Sequence, residues 1–563
     1  MKFKLTKTIL LTLTLVLVIL ANSGCSNPAK EEEAFIVLSI GNDSLSGKAV
    51  SIDQLVHTIT FSGPSSNQTR TISGAGSVKV TVAPGLWFID VDAFLGGVLY
   101  AKGSATAEVK AGLTTSVTVY MNVILTESGG GGGGGSNPGS NTPTPLTGSV
   151  SIDGDLWVNA TLTANTSSLV GSGTPGYKWT SGSNIIGTNA TYMVQEADIG
   201  QTIMVEVTMS DNTGEESASV TISNIIGIYT LAQLIAIKDS TATMAGDYVL
   251  GDDLTISGGP GTYEPIGTQM DCFAGSFDGN GKTITLSPGA VGYSVWDNFT
   301  DHNLCIGVFG GVSGTVKNLK LEGSITVNYP GPETGVASAG ALTGYNGGTI
   351  ENIASSVSIY VNYPGSNVYA GGIVGDNDLG EIKNCYNTGA VTGQGGFAYT
   401  WVGGITGSLH GNVITSSVEH CWASGDVTLL GTTLTLSSGG GIVGYNYNAD
   451  GHITNCVAFQ DLISSNPSSG NVNVGRILGT FDTTNVSGNY ANDAMLLSTN
   501  GGSTQLPATT SATNGTDADL STDIGSQAWW ESTIWSGVWG GAAADENYPW
   551  VWRNGHPELW FIP

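Results

Sequence analysis

Positive charge is scarce in this chain. Its 563 residues carry 17 Lys+Arg against 45 Asp+Glu, a formal net charge of −28. Phosphate backbones are held by Lys and Arg, so nucleic acid is excluded as a partner. Cysteine is sparse as well, with six residues. Cys25 falls in the leader, which leaves Cys272, Cys305, Cys385, Cys421 and Cys456. An odd five argues against a complete disulfide framework in an exported chain. Helical 3.6-residue periodicity is nearly missing, and residues 230–238 (TLAQLIAIK) form the one credible helix, with Thr230 as its N-cap. The six histidines show no HExxH or paired metal spacing, and no Gly-x-Ser-x-Gly elbow occurs. The expectation is a chain with no metal, no cofactor and no catalytic residues.

Glycine, by contrast, is abundant, at 83 residues, and much of it is periodic. Gly307-Val308-Phe309-Gly310 is followed by related phrases closing at Gly344, Gly375, Gly407, Gly444 and Gly479, in steps of 34, 31, 32, 37 and 35 residues. A second phrase trails each of the first five: Val316-Lys317-Asn318-Leu319, Ile350-Glu351-Asn352-Ile353, Ile382-Lys383-Asn384-Cys385, Val418-Glu419-His420-Cys421 and Ile453-Thr454-Asn455-Cys456. A third β-type run follows, and Gly/Asn/Ser turns separate the three. One such coil cannot bury its apolar face alone, but a stack can. The pattern predicts a parallel β-helix in which equivalent side chains lie one above another, about 4.8 Å apart. Asn318, Asn352, Asn384, His420 and Asn455 should form a polar ladder. Cys385, Cys421 and Cys456 should continue an inward apolar column begun by Leu319 and Ile353. Two stacked cysteines would lie within bridging distance, although buried small apolar side chains are the simpler reading.

The G-[hydrophobic]-[hydrophobic]-G phrase followed by I-x-N-C resembles the GLUG motif, a repeat of bacterial surface proteins, adhesins and some secreted peptidases. The resemblance covers about a third of the chain. It implies an all-β protein ending in a right-handed parallel β-helix, preceded here by two β-sandwich domains.

The remaining chain fits that outline. Residues 1–25 carry Lys2, Lys4 and Lys7, an apolar run at 9–21 and small residues before Cys25, which resembles a bacterial lipoprotein signal with Cys25 as the lipidated residue. Residues 26–33 read as a tether and 34–126 as a β-sandwich in which His57 lies on a strand surface. Seven consecutive glycines at 129–135 mark a linker over 127–145. Residues 146–226 resemble bacterial Ig-like modules, with Trp179 in the core and Asp198 capping a turn. Residues 227–304 hold an N-terminal cap and the first rungs, and Asp278-Gly279-Asn280-Gly281 reads as a tight turn rather than a calcium loop. The repeats occupy 305–490. Residues 491–563 form a Trp-rich cap, since seven of 13 tryptophans fall in 529–560.

Candidate ligand contacts are aromatic. Asn328-Tyr329-Pro330-Gly331 and Asn362-Tyr363-Pro364-Gly365 are the same tetrapeptide 34 residues apart. Stacking would pair Tyr329 with Tyr363 and bring Tyr399 and Trp401 near, giving a strip able to take a sugar ring or else to shield a corner. Acidic residues are scattered in repeat position, and Asp376 and Asp378 share what reads as a solvated loop. The expected function is a lipid-anchored protein of the bacterial outer membrane, facing the cell exterior as an adhesin toward carbohydrate or host and matrix proteins. A polysaccharide-active β-helix enzyme and a structural envelope component are the other classes. Two carboxylates within reach of one cleft would favour the enzyme.

Overall fold

The computed structural model describes residues 34–40, 54–63, 67–74, 76–110, 114–119, 122–123, 144–259, 261–298, 301–329, 335–364, 366–396, 399–411, 416–431, 436–448, 450–467, 471–481, 483–499, 502–505, 511 and 513–562. Cys25, the tether and most of the glycine linker lie outside the described residues. The chain divides into two compact units, Met1–Gly139 and Ser140–Pro563. Among the described residues no helix is long and apolar enough to cross a membrane.

The first unit is a sandwich of a three-stranded and a five-stranded sheet. Alternation along Leu55–Ser62 sends every second side chain into the core. Ile59, Phe61, Trp87, Ile89 and Val91 meet there. His57 shares that inward face and is 0% exposed, with neither ring nitrogen hydrogen-bonded. This corrects the surface expectation, because period-two alternation groups His57 with Ile59 and Phe61. Burial lowers the His57 pKa from its ordinary 6.5. The unfolded chain therefore binds more protons between that lowered value and 6.5, so stability is fully present above 6.5 and is lost as pH falls below it. Thermal melts of this unit should show a midpoint that drops on acidification through that window. His57→Leu should flatten the dependence, and an equally steep one in the variant would refute the assignment.

The second unit opens with a sandwich-like module of a four-stranded, a three-stranded and a two-stranded sheet. Trp179 is fully buried, donates from Nε1 to Asn189 O at 2.8 Å and stacks on Tyr192. Asp198 caps its turn, accepting from Gln195 N at 2.8 Å and Tyr192 OH at 2.6 Å. The module joins the β-helix directly. Val158 bridges Ile226, Asn159 Nδ2 donates to Gly227 O, and Trp157 Nε1 donates to Tyr229 OH.

The helix Leu231–Ala236 follows, with the Thr230 side chain accepting from Gln233 N and a reciprocal capping box. Leu234 and Ile237 enter the main core. Beyond it the chain winds into a β-solenoid of about six turns. Three sheets build it: one of 22 strands, one of seven and one of six. In the six-stranded sheet Phe309 pairs with Thr343, Thr343 with Val374, Val374 with Thr406, Thr406 with Val443 and Val443 with Leu478. These register steps repeat those of the glycine phrases. The interior is a continuous column of Val, Ile, Leu, Ala, Phe and Cys.

The asparagine ladder occupies a corner where the backbone turns left-handed. Asn318, Asn352, Asn384, His420 and Asn455 have φ of 56, 55, 53, 51 and 54°. Asparagine tolerates that region better than other residues with a Cβ. Asn352 Nδ2 donates to Asn318 Oδ1 at 3.0 Å, and Asn455 Nδ2 lies 3.4 Å from His420 Nε2. Cys385, Cys421 and Cys456 are fully buried and free, each thiol donating to the carbonyl two residues earlier. Burial pushes the Cys421 and Cys456 thiols well up. The residues before the first four ladder positions alternate in charge, and Asp278 extends the row one coil earlier: Asp278 pairs with Lys317, Lys317 with Glu351, Glu351 with Lys383 and Lys383 with Glu419.

The Trp-rich segment lies along a flank rather than over the last rung. Tyr386, Trp422 and Phe459 form an outward column, with centroid spacings of 4.4 and 4.8 Å. The C-terminal residues cover it: Trp550 packs on Tyr386, His556 on Trp422 and Trp530 on Phe459. Trp535 Nε1 donates to Asn455 O, and Lys317 Nζ lies 2.8 Å from Glu546 Oε2. The segment is a strap across successive coils, because the apolar column it covers runs across them.

Candidate functional site

Two places gather the predicted aromatics. The first is a groove of about 670 Å³ at the N-terminal end of the β-helix, lined by Thr262, Glu264, Tyr293, Thr326 and Asn328 among others. Two loop segments make its floor, with Gly261 N donating to Gly289 O and Gly292 N to Tyr263 O, each at 2.8 Å. A Cβ on Gly292 would sit 3.0 Å from Gly261 O, so glycine keeps the floor low there. Tyr293 is 36% exposed. Its ring meets Tyr329 edge-on at 5.5 Å, and Tyr329 meets Tyr363 edge-on at 5.0 Å. The three rings run from solvent to core. Tyr363 is fully buried and offers no face to a ligand, Tyr329 is half-buried, and Tyr293 is the exposed member. Glu264 on the rim pairs with Lys238 Nζ at 2.7 Å. An aromatic ring beside hydroxyl, amide and backbone groups is sugar-binding chemistry: the ring packs on C–H faces while the polar groups meet hydroxyls.

The second place is the corner between the six- and seven-stranded sheets. Trp401 lies between Tyr369 and Tyr445, at 4.3 and 4.1 Å with interplanar angles of 8 and 5°. Both of its faces are covered and it is 3% exposed, so Trp401 fills a corner rather than receiving a ligand. Tyr399, beside it at 5.3 Å, is 37% exposed. Large and small side chains alternate across this corner. Tyr369, Trp401 and Ser438 are in register on one strand set, and Asp376, Ser408 and Tyr445 on the other.

Asp376 and Asp378 are not a solvated loop pair. Both lie on the strand Val374–Asp378, and Asp376 is 8% exposed. The register sets Asp376 between Tyr345 and Ser408, and Asp378 beside His410. Ser408 Oγ donates to Asp376 at 2.6 Å, Tyr345 OH lies 3.4 Å from Asp378 Oδ2, and His410 Nε2 is 3.5 Å from Asp376 Oδ1. Burial first, and then the neighbouring Asp376, raise the Asp378 pKa from its ordinary value. A cavity of about 260 Å³, lined by Gln269, Asn303, Ser338, Tyr369 and Asp376, abuts this corner. Burial pushes the Cys305 thiol at its wall up to about 12.

The remaining site residues are structural. Asn318, Asn352, Asn384, His420 and Asn455 shape a corner, while Cys385, Cys421 and Cys456 fill the core. Sequence reasoning missed Tyr293, Thr262 and Glu264, which precede the recognisable repeats and share no repeat position with Tyr329. Among the described residues no group of three or more His, Cys, Asp or Glu could hold a metal ion.

The sequence model of the GLUG motif matches residues 366–392, most of one coil. Over 92 residues the chain is 46% identical to a protein of Evansella cellulosilytica provisionally named a Gly-rich membrane protein. That match spans 16% of this chain and 9% of the relative. Among solved structures, a Bacteroides ovatus protein provisionally named an immunoglobulin A1 protease aligns over 60% of this chain and 92% of its own, at 19% identity and a TM-score of 0.42. A structure named IgA1 Protease aligns over 61% of this chain and 27% of its own, at 12% identity and a TM-score of 0.28. By its fold and its motif match, the C-terminal part of the chain is a β-solenoid carrying a GLUG motif at 366–392.

Proposed function

We propose that this protein is a surface-displayed, lipid-anchored bacterial binding protein that holds glycan through its β-helix and acts as an adhesin without catalysis. The leader ending at Cys25 supports the anchor, and the membrane-protein name of the Evansella relative accords with it. The observation that carries the binding role is the groove beside Tyr293, open, aromatic on one side and polar on the others. Glu264 is its one carboxylate among the lining residues and is ion-paired, which suits a neutral ligand.

The test is a glycan array probed with the mature chain, wild type against Tyr293→Ala and Thr326→Ala. Stacking on an exposed ring contributes about 0.5–1.5 kcal/mol, so Tyr293→Ala should weaken the leading glycan about threefold to tenfold, with the melting temperature unchanged. A wild type that binds no glycan, or variants with unaltered binding, would reject the reading.

A second reading, a glycan-active enzyme, has one specific observation behind it: Asp376, Asp378 and His410 on one corner, with the Asp378 carboxyl raised. A raised acid beside a second carboxylate is what glycoside hydrolysis uses. Incubation with the array's leading glycan and measurement of new reducing ends tests it. Release abolished by Asp378→Asn would establish the enzyme, and no release would leave the binding role.

A further inference from the structure

The polar face that borders the groove at Thr326 and Asn328 continues beyond it. The strand carrying Thr326 and Asn328 continues coil by coil through register-matched strands, whose odd and even side chains alternate between core and solvent. Ile325, Ile359, Val391, Val427 and Ile463 point inward and are buried. The residues next to them are Thr326, Tyr360, Thr392, Thr428, Ser464 and, one coil further, Ser498, exposed or half-buried. Every one bears a hydroxyl. Two positions along, Asn328 pairs with Asn362, Asn362 with Gln394, Gln394 with Leu430 and Leu430 with Asn466, so amides fill four of these five places. The columns are hydrogen-bonded among themselves: Tyr360 OH donates to Gln394 Oε1 at 3.0 Å, Asn362 Nδ2 to Asn328 Oδ1 at 3.3 Å, and Thr428 Oγ1 lies 3.2 Å from Ser464 Oγ. No charged side chain interrupts either column, in a chain with 45 acidic residues.

We infer that this flank is a linear docking track for an uncharged, polyhydroxylated polymer, a neutral polysaccharide that lies along the solenoid axis with one portion seated in the groove beside Tyr293. The inference rests on the glycan-binding reading of that groove and specifies its ligand. Hydroxyls and amides each donate and accept, so a row of them complements sugar hydroxyls of any orientation. The coil spacing of about 4.8 Å presents such a pair at every level. Each added level is engaged intramolecularly once the groove is filled, so affinity should grow with ligand length. An anionic polymer would meet the field of a strongly acidic chain with no cation on the track to offset it.

The experiment titrates the mature chain with size-fractionated neutral β-glucan oligosaccharides and their carboxymethylated counterparts. Affinity should rise with length for the neutral series and stay weak for the carboxymethylated one. Thr392→Asp and Thr428→Asp, far from the groove, should lower affinity for long oligosaccharides at least about tenfold and leave the shortest binder unchanged, while Thr392→Ser keeps both. Unchanged circular dichroism and melting temperature of the Asp variants show that the coils are intact. A short oligosaccharide that binds with no gain on lengthening, equal binding of carboxymethylated chains, or indifference to both Asp substitutions overturns the track and leaves the groove standing. Failure of every neutral oligosaccharide to bind rejects both.

Discussion

Trp422→Ala is expected to destabilise the solenoid flank by about 3–5 kcal/mol, the usual cost of emptying a buried tryptophan site. Trp422 is 1% exposed and is the middle ring of the Tyr386–Trp422–Phe459 column, with His556 of the strap packed against it at 5.3 Å. Its loss leaves a hole under the strap and removes one of the surfaces on which 519–562 is seated. Solenoid coils depend mainly on their neighbours, so the damage should be local. The strap should become sensitive to limited proteolysis while the sandwich module before the solenoid keeps its own resistance. Trp552, only half-buried, should cost far less when changed to alanine. A strap that stays protected in Trp422→Ala would mean that the remaining contacts, Trp550–Tyr386, Trp530–Phe459, Lys317–Glu546 and Trp535–Asn455, hold it without Trp422.

The second large effect concerns the left-handed corner. Asn352 is fully buried with φ of 55°, and it bonds Asn318 through its amide. Asn352→Ala should cost up to about 1–2 kcal/mol, because alanine lacks asparagine's tolerance of that conformation, plus about 1–3 kcal/mol for the buried partner left unsatisfied. Asn352→Gly should recover the backbone part only, and Asn352→Val should be the worst of the three. Denaturant melts of the mature chain give the order directly. Equal losses for Gly and Ala would show that the side-chain bond alone matters.

Much of the solenoid was legible because its period is written in glycine and asparagine. The phrase at 307–310 and its five successors set the coil lengths, and the strand registers reproduce them. The polar ladder and the cysteine column also follow from equivalence of position. What equivalence cannot tell is depth. Tyr329 and Tyr363 sit in identical tetrapeptides, yet the second is buried under the first, and the exposed ring is Tyr293. Trp401 looked like a platform, but stacked coils let Tyr369 and Tyr445 cover both of its faces. Asp376 and Asp378 read as a loop because Gly375 and Leu379-Gly380 flank them, whereas the register holds them in a strand. The hydroxyl track was readable in principle: Thr326, Tyr360, Thr392 and Thr428 each follow the ladder position by eight residues. The strap was harder, since a run of tryptophans announces an apolar surface without saying which flank it covers.

Protease treatment of intact cells, followed by an antibody to residues 228–563, tests the central claim of an outward-facing binding solenoid most directly. Loss of the epitope from cells that remain sealed is the predicted result. An epitope that survives on sealed cells and disappears only after they are opened would contradict surface display and, with it, the adhesin role.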